Sequence, residues 1–281
     1  MVTVHDVMPL IFPRNYPIGL KGKVNFYLQK RSLNKCKKII TVSQTSKDDI
    51  VKLLKIKADK IVVIPEAASD KFKMLSEGQI LNVKRRYKLP DRFLLYIGDA
   101  NFVKNLPFLI DSFQILRKKS GFGDLNLVLV GGVFLKKVDN IDHPELESLK
   151  QVNKKIKDNN LEDFVIRPGQ VNEDNLVGFY NLATVYVQPS IYEGFGIPLV
   201  EAFSCGTPVI CSNTSSLPEV GGDAAIYFDP KNKNQFISLL EQILKDSSLQ
   251  TKLSKLGLKR AAMFSWEKVA LDTLKLYEEI I

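Results

Sequence analysis

Cysteine is scarce. Cys36, Cys205 and Cys211 are the whole complement in 281 residues, an odd number with no C-x-x-C spacing. That argues against a disulfide-stapled scaffold or a zinc ribbon and suits a reducing compartment. Histidine is scarcer still, with His5 and His143 alone, and Asp-x-Asp does not occur. No His/Cys cluster exists, and no metal or other cofactor is expected. The longest mostly apolar stretch, Leu125–Leu135, is broken by Asn126, Gly131 and Gly132. It falls short of the about 20 residues that span a bilayer. Sixteen glycines and 13 prolines are too few for collagen-like or Pro-rich classes. The opening MVTVHDVMPL has no basic segment ahead of an apolar run, so no secretory signal is expected there.

What is present is an ordinary globular composition, 45% hydrophobic and 25% charged, with length for one or two domains and a sizeable core. The formal charge of +9 is unevenly placed. Residues 1–64 hold 13 Lys and Arg against 4 Asp and Glu, while residues 65–281 hold 27 of each. The densest part, 21–38, carries Lys21, Lys23, Lys30, Arg31, Lys35, Lys37 and Lys38 without an acid, beside Phe26, Tyr27, Leu28 and Leu33. Three readings stay open, in this order: a solvated helix face, a peripheral contact with an anionic membrane, and a nucleic-acid contact. No RNA-binding aromatic motif or helix-turn-helix reader accompanies the segment, so nucleic acid is not expected as a partner.

Short β-branched or aliphatic runs recur at 2–4, 39–42, 61–64, 93–97, 125–130, 164–167, 184–188, 208–211 and 225–228, with helical spacing between most of them. Leu106, Leu109, Ile110, Phe113 and Leu116 give one apolar face over 105–119. Ile237, Leu240, Ile243 and Leu244 give another. Val269, Leu271, Leu274, Tyr277 and Ile281 give a last one, with Ser265 as its N-cap. Strands alternating with helices predict an α/β chain with a doubly wound parallel sheet, whose ligands sit beyond the strands' carboxyl ends. The polar run PEAASDKFKMLSEG from Pro65 marks a boundary. The expected division is an incomplete Rossmann-like unit of three strands and two helices over 1–70, a complete Rossmann-like unit over 71–262, and a closing helix over 263–281 that packs back towards the first unit.

The densest chemistry lies in PSIYEGFGIPLVEAFSCGTPVICSNTSSLPE, residues 189–219. A strand ends at Pro189, Gly194 and Gly196 bracket Phe195, and Pro198 suits the first position of a helix running to about Cys205. A strand, a glycine-bearing loop and a helix start together present free backbone N–H groups to an anion. Glu193 stands before the glycines and Glu201 is expected in the first helical turn. Carboxylates there make sense as acceptors for neutral hydroxyls of a sugar or ribose. Two glutamates at this spacing are a weak signal alone. Glu201 also reads as a dipole-stabilising acid worth about 0.3–1 kcal/mol, and Glu193 as an exposed loop acid.

The surrounding residues decide. YEGFGIPLVEAFSCGTPVICSNTSSLPEV, continuing to GGDAAIYFDP, closely resembles the C-terminal half of retaining glycosyltransferases of family 4, which have the two-domain GT-B fold; Glu193 and Glu201 match that family's E-x7-E motif. TVHDVMPLIFP resembles the N-domain strand with its His-Asp. IITVSQTSKDDIVKLLKIKADKIVVIPEAAS resembles the approach to the interdomain linker. LLYIGDANFVKNLPFLIDSF resembles the first strand, loop and helix of the C-domain, and FSWEKVALDTLKLYEEI the closing helix. The resemblance implies that Glu193 lies near the donor sugar hydroxyls and that Glu201 holds the ribose. Gly194, Phe195 and Gly196, with Ile197, Pro198 and Leu199 at the helix start, would meet the donor sugar and pyrophosphate. Lys104 would neutralise the diphosphate leaving group, in a loop opened by Gly98, and His5 would approach the sugar from the other domain. A lysine plus a helix start is a preorganised stabiliser for a departing diphosphate. Without the resemblance, Lys104 reads as a surface lysine and His5 as a structural histidine.

Two departures stand out. Many relatives carry arginine after the glycine of the first C-domain loop, where this chain has Asp99. Relatives also have about 100 more residues at the N-terminus, including a glycine-rich loop with no counterpart here, so the first unit reads as truncated or as completed by a partner chain. The expected activity is retaining transfer of a sugar from a UDP- or GDP-sugar to a saccharide or lipid-linked acceptor in cell-surface polysaccharide synthesis. The expected place is the cytoplasm, peripheral on the inner membrane face. The alternative is a nucleotide-sugar-binding fragment or subunit, inactive without a partner. A nicotinamide dehydrogenase is disfavoured because no strand is followed by G-x-G-x-x-G.

Overall fold

The computed structural model describes residues 1–138 and 140–279. The first unit runs β1 (Val2–Thr3), α1 (Met8–Ile11), α2 (Leu20–Lys35), β2 (Ile39–Thr41), α3 (Gln44–Asp49) and β3 (Ile61–Val63), with α3 continued by a π turn over Ile50–Leu54. Its three strands pair in parallel in the order β1-β2-β3. Beyond the two helices expected, α1 is an extra single turn. Two residues ahead of its start, Asp6 Oδ1 accepts Met8 N at 2.9 Å, a local side-chain-to-backbone bond that favours a turn without any helical periodicity.

The second unit runs α4 (Glu77–Tyr87), β4 (Phe93–Ile97), α5 (Leu106–Arg117), β5 (Asn126–Val130), α6 (Glu147–Asp158), β6 (Val165–Gly169), α7 (Glu173–Leu182), β7 (Val185–Gln188), α8 (Ile197–Ser204), β8 (Val209–Ser212), α9 (Leu217–Gly221), β9 (Ala225–Phe228), α10 (Lys233–Lys245) and α11 (Ser247–Ala261). Its six strands are parallel, in the order β6-β5-β4-β7-β8-β9. Alternate residues serve opposite faces, as period-2 geometry requires. Leu94, Tyr96, Leu127, Leu129 and Val187 meet α5, α6 and α10, while Phe93, Leu95, Val128, Val130 and Tyr186 meet α7 and α8. A sheet covered on both faces explains why these strands read as continuous apolar runs. From β4 the chain winds outward through β5 and β6, then returns to the other side of β4 as β7. The carboxyl ends of β4 and β7 therefore form the point where strand order reverses, the usual crevice for a ligand.

A last helix, α12 (Trp266–Glu278), begins at Ser265, whose hydroxyl accepts Lys268 N at 3.2 Å. It lies against the first sheet, where Leu276 packs with Ile40 and Ile64 and Val269 joins them. Ile281 lies outside the described residues. By contrast α2 buries no residue fully: Phe26 and Leu33 face inward, while Leu20, Val24, Tyr27 and Leu28 stand 82, 60, 58 and 55% exposed. Among the described residues, no helix is long and apolar enough to cross a membrane.

Candidate active site

Beside the reversal point, beyond the carboxyl ends of β4, β5 and β6, lies an open hollow of ≈ 430 Å³ with Gly98, Asp99, Gly131, Gly132, Lys136 and Gln170 among its walls. Two glycines let its floor close up. Gly98 has φ +142, and a Cβ on Gly131, whose φ is +158, would fall 2.3 Å from the Gly98 carbonyl oxygen. No L side chain fits there. Asp99, exposed on one wall, makes local contacts: its Oδ1 accepts Ala100 N at 2.7 Å, and its carbonyl accepts the Tyr96 hydroxyl at 2.6 Å. The acid that replaces the relatives' arginine thus shapes the loop.

Lys104 ends a short 3₁₀ turn, Phe102–Lys104, in the β4–α5 connection; Glu193 lies in the β7–α8 connection. The two connections flank the reversal point, and Lys104 Nζ is 2.8 Å from both Glu193 oxygens. Their side chains are 20 and 11% exposed, so each charge is largely desolvated and is tolerated through the other. Glu193 is further fixed by donors from Ser190 Oγ at 2.6 Å and from Gln188 Nε2. Its own N–H donates to Ser215 Oγ at 2.9 Å, and its carbonyl accepts Ser216 Oγ at 3.0 Å. Gln188, Ser190 and Ser216 are buried. Sequence reading missed all four of these partners. The available signal was polar: Gln188 closes an otherwise apolar strand, and Asn213–Ser216 is an unbroken polar run.

Beyond Glu193 the loop turns into α8. Gly196, with φ +106, is the N-cap, so the helix starts at Ile197 and Pro198 takes the second position instead of the first. That moves Glu201 out of the first turn, which holds no acid, and removes the dipole account of this residue. Glu201 instead accepts the Tyr180 hydroxyl at 2.6 Å. Burial pushes its carboxyl up to about 7, opposed by that hydrogen bond. Phe195 is buried edge-on to Phe264, with ring centroids 5.7 Å apart. Leu199 offers a ligand neither side chain nor amide, for the side chain is core and its N–H donates to Gly196 O at 2.9 Å. Ile197 and Pro198 are half-buried at the helix start.

His5 reaches this place by its backbone. A Cβ on Gly194 would lie 3.4 Å from His5 O and 3.0 Å from Asp6 Oδ2. The imidazole itself turns to Glu66, Nδ1 to Oε1 3.1 Å, and is 64% exposed. Burial raises the Glu66 carboxyl, with His5 working against it. Phe12 adds an edge over Phe102 and Tyr192, at 5.8 and 6.0 Å between centroids, so the first unit also touches the β4–α5 and β7–α8 connections. The structure thus brings Lys104, Glu193, Gly194 and the His5 backbone together, and sets Glu201 apart in its own pocket with Tyr180. Among the described residues, no three His, Cys, Asp or Glu side chains gather as a metal site needs.

Two parallel-sheet units, the larger with a glycine loop, a lysine and a carboxylate at its reversal point and the smaller closing over them, define a glycosyltransferase of GT-B architecture. Sucrose-phosphate synthase from Thermosynechococcus elongatus superposes with a TM-score of 0.80 over 99% of this chain and 67% of that one, at 24% identity. HepE from Anabaena, solved in complex with UDP and glucose, gives 0.81 over 99% and 71%, at 16% identity. The chain belongs to the glycosyl transferases group 1 family, which matches residues 80–260, and residues 1–69 match Glycosyltransferase Family 4. Among curated relatives, O-antigen chain mannosyltransferase B of Escherichia coli is 33% identical over 282 residues, 99% of this chain and 70% of that protein. The serotype-specific mannosyltransferase WbdA of Escherichia coli is 28% identical over 270 residues, and O-antigen chain mannosyltransferase RfbU of Salmonella typhimurium 32% over 243. This chain covers 95 and 86% of itself in those matches but spans only 32 and 60% of the relatives.

Proposed function

We propose that the chain transfers a sugar, with retention at the anomeric carbon, from a UDP- or GDP-sugar to a saccharide or lipid-linked acceptor in cell-surface polysaccharide synthesis. The observation that carries this reading is the convergence of Lys104, Glu193 and the Gly194–Gly196 loop on the reversal point of the sheet. On this reading the donor diphosphate takes Lys104 as its counter-ion, and Glu193, released from that pair, accepts hydroxyls of the donor sugar. The amides of the glycine loop and of the start of α8 face the phosphates. Charge that builds on the leaving diphosphate is met by groups already in place, which is where electrostatic catalysis is strongest. Glu201, beyond the first turn of α8, takes the ribose hydroxyls. The relatives' names put a mannosyl donor first among the sugars to assay.

The reading extends to a surface. On α2 the outward residues Leu20, Val24, Tyr27 and Leu28 are flanked by Lys21, Lys23, Lys30, Arg31 and Lys35. An apolar stripe between cations suits the headgroup region of an anionic bilayer.

Calorimetric titration of UDP-mannose and GDP-mannose, with a transfer assay and proton NMR of the product beside it, tests the function. Saturable binding and an anomer of the donor's configuration are expected. Inverted product would remove retention, and binding without transfer to any saccharide or lipid-linked acceptor would remove the enzymatic reading.

A further inference from the structure

Two hydroxyls of the first unit converge on one carbonyl of the second. Ser43 Oγ donates to Gly194 O at 2.6 Å, and Ser46 Oγ donates to the same oxygen at 3.2 Å. Both serines are fully buried. They stand one turn apart because Ser43 caps α3, its Oγ accepting Ser46 N at 3.0 Å. The contact is reinforced on both flanks. Glu219 accepts Gln44 N at 2.8 Å, and the Tyr192 hydroxyl donates to Asp49 Oδ2 at 2.9 Å. On the far side of Gly194, Asp6 leaves no room for a side chain without a shift.

A peptide unit is planar and trans, so its C=O and N–H point in opposite directions. Fixing Gly194 O against α3 therefore aims the Phe195 N–H away from α3. That N–H has no acceptor among the described residues. Backbone amides are almost always paired, so one without a partner in the chain is open to one from outside it.

We infer that Ser43 and Ser46 are positioning residues, which hold the Gly194–Phe195 peptide so that the Phe195 N–H faces the anionic part of a nucleotide-sugar donor. This rests on reading the crevice as a donor site. It also means that the amide is aimed only while the two units touch, because both hydroxyls come from the first unit and the peptide from the second.

Carbonyl-labelled glycine with nitrogen-15 phenylalanine isolates the three Gly-Phe peptides of the chain, 121–122, 178–179 and 194–195, in a carbonyl-edited amide spectrum. The signal lost in Phe195→Tyr assigns the third. In the ligand-free protein, Ser46→Ala is expected to move that signal alone, Ser43→Ala/Ser46→Ala to move it further, and Ser46→Thr to leave it near its wild-type place. Added UDP or GDP is expected to move the same signal in the wild type. The double variant should bind the nucleotide about tenfold more weakly, roughly the worth of one hydrogen bond. A 194–195 signal unmoved in both serine variants overturns the positioning role, whether or not the protein transfers sugar. Wild-type protein that binds neither UDP nor GDP overturns the donor-site reading instead, and with it the direction assigned to the amide. A lower melting temperature with the signal and the nucleotide affinity unchanged would reduce the serines to interface packing.

Discussion

Lys104 and Glu193 neutralise one another across the reversal point of the sheet, the ammonium standing 2.8 Å from each carboxylate oxygen. On the proposed donor reading, a ligand that takes Lys104 must release Glu193, which would make diphosphate binding and exposure of the carboxylate a single event.

Lys104→Ala is expected to lower turnover about 10²–10³-fold, the cost of losing one preorganised donor to a developing oxyanion. Glu193→Ala should abolish transfer to a similar or greater degree. Each single change also strands a partly buried charge, which costs about 1–3 kcal/mol of stability in urea denaturation. Lys104→Met/Glu193→Gln should recover much of that stability with none of the turnover. Wild-type rates in either single variant would remove that residue from the mechanism.

Glu201 carries a pH signature. Its carboxyl is raised from 4.5 to about 7 in the folded protein, so the folded state holds this proton more tightly than the unfolded state does. Its contribution to stability is full below about pH 4.5 and declines as pH rises through 7, on the order of 3 kcal/mol in all. Nucleotide binding should run the other way. A ribose hydroxyl binds an ionised acceptor more strongly than a neutral one, so affinity for UDP or GDP should climb between pH 6 and 8. Glu201→Gln is expected to flatten both profiles, and an unchanged stability profile in that variant would assign the slope to another group.

Gly131→Ala should destabilise the fold by about 2 kcal/mol or more, since its methyl group meets backbone at a φ that favours glycine. A melting curve that overlays the wild type would mean that the β4 and β5 loops move apart freely.

The exposed face of α2 predicts sedimentation with vesicles rich in anionic lipid at low salt, weakening as salt screens the lysines. Leu20→Ser/Val24→Ser/Leu28→Ser should weaken it without touching the core. Vesicles left unbound at low salt would return the helix to a solvated face.

Much of the architecture was legible in the residues. All nine strand runs form strands, with ends within about two residues; in the six-stranded sheet this follows because parallel strands buried on both faces concentrate β-branched and aliphatic side chains between turn-forming loops. Ser265 was legible as a cap because capping is local. Glu193 and Lys104 were legible only through resemblance. Their meeting joins residues 89 apart in the chain, and no periodicity encodes a loop-to-loop contact. Separation in sequence likewise hid Ser43 and Ser46, 151 and 148 residues away, from Gly194, and His5 from Glu66. Glu201 was assigned to the first turn because local pattern favoured Pro198 as the first position, whereas the Gly196 cap of positive φ starts the helix one residue earlier.

The chain passes between the units twice, outward after Ile64 and back before Ser265, and the two passages lie together, with Ile64, Pro65, Phe264 and Ser265 lining one small hollow. Paired crossings form one hinge line in place of two separate tethers, and Leu276 holds α12 to Ile40 and Ile64 on the first unit's side of that line. On the proposed reading, an opening of the donor site would turn about that line, with α12 carried along by the smaller unit.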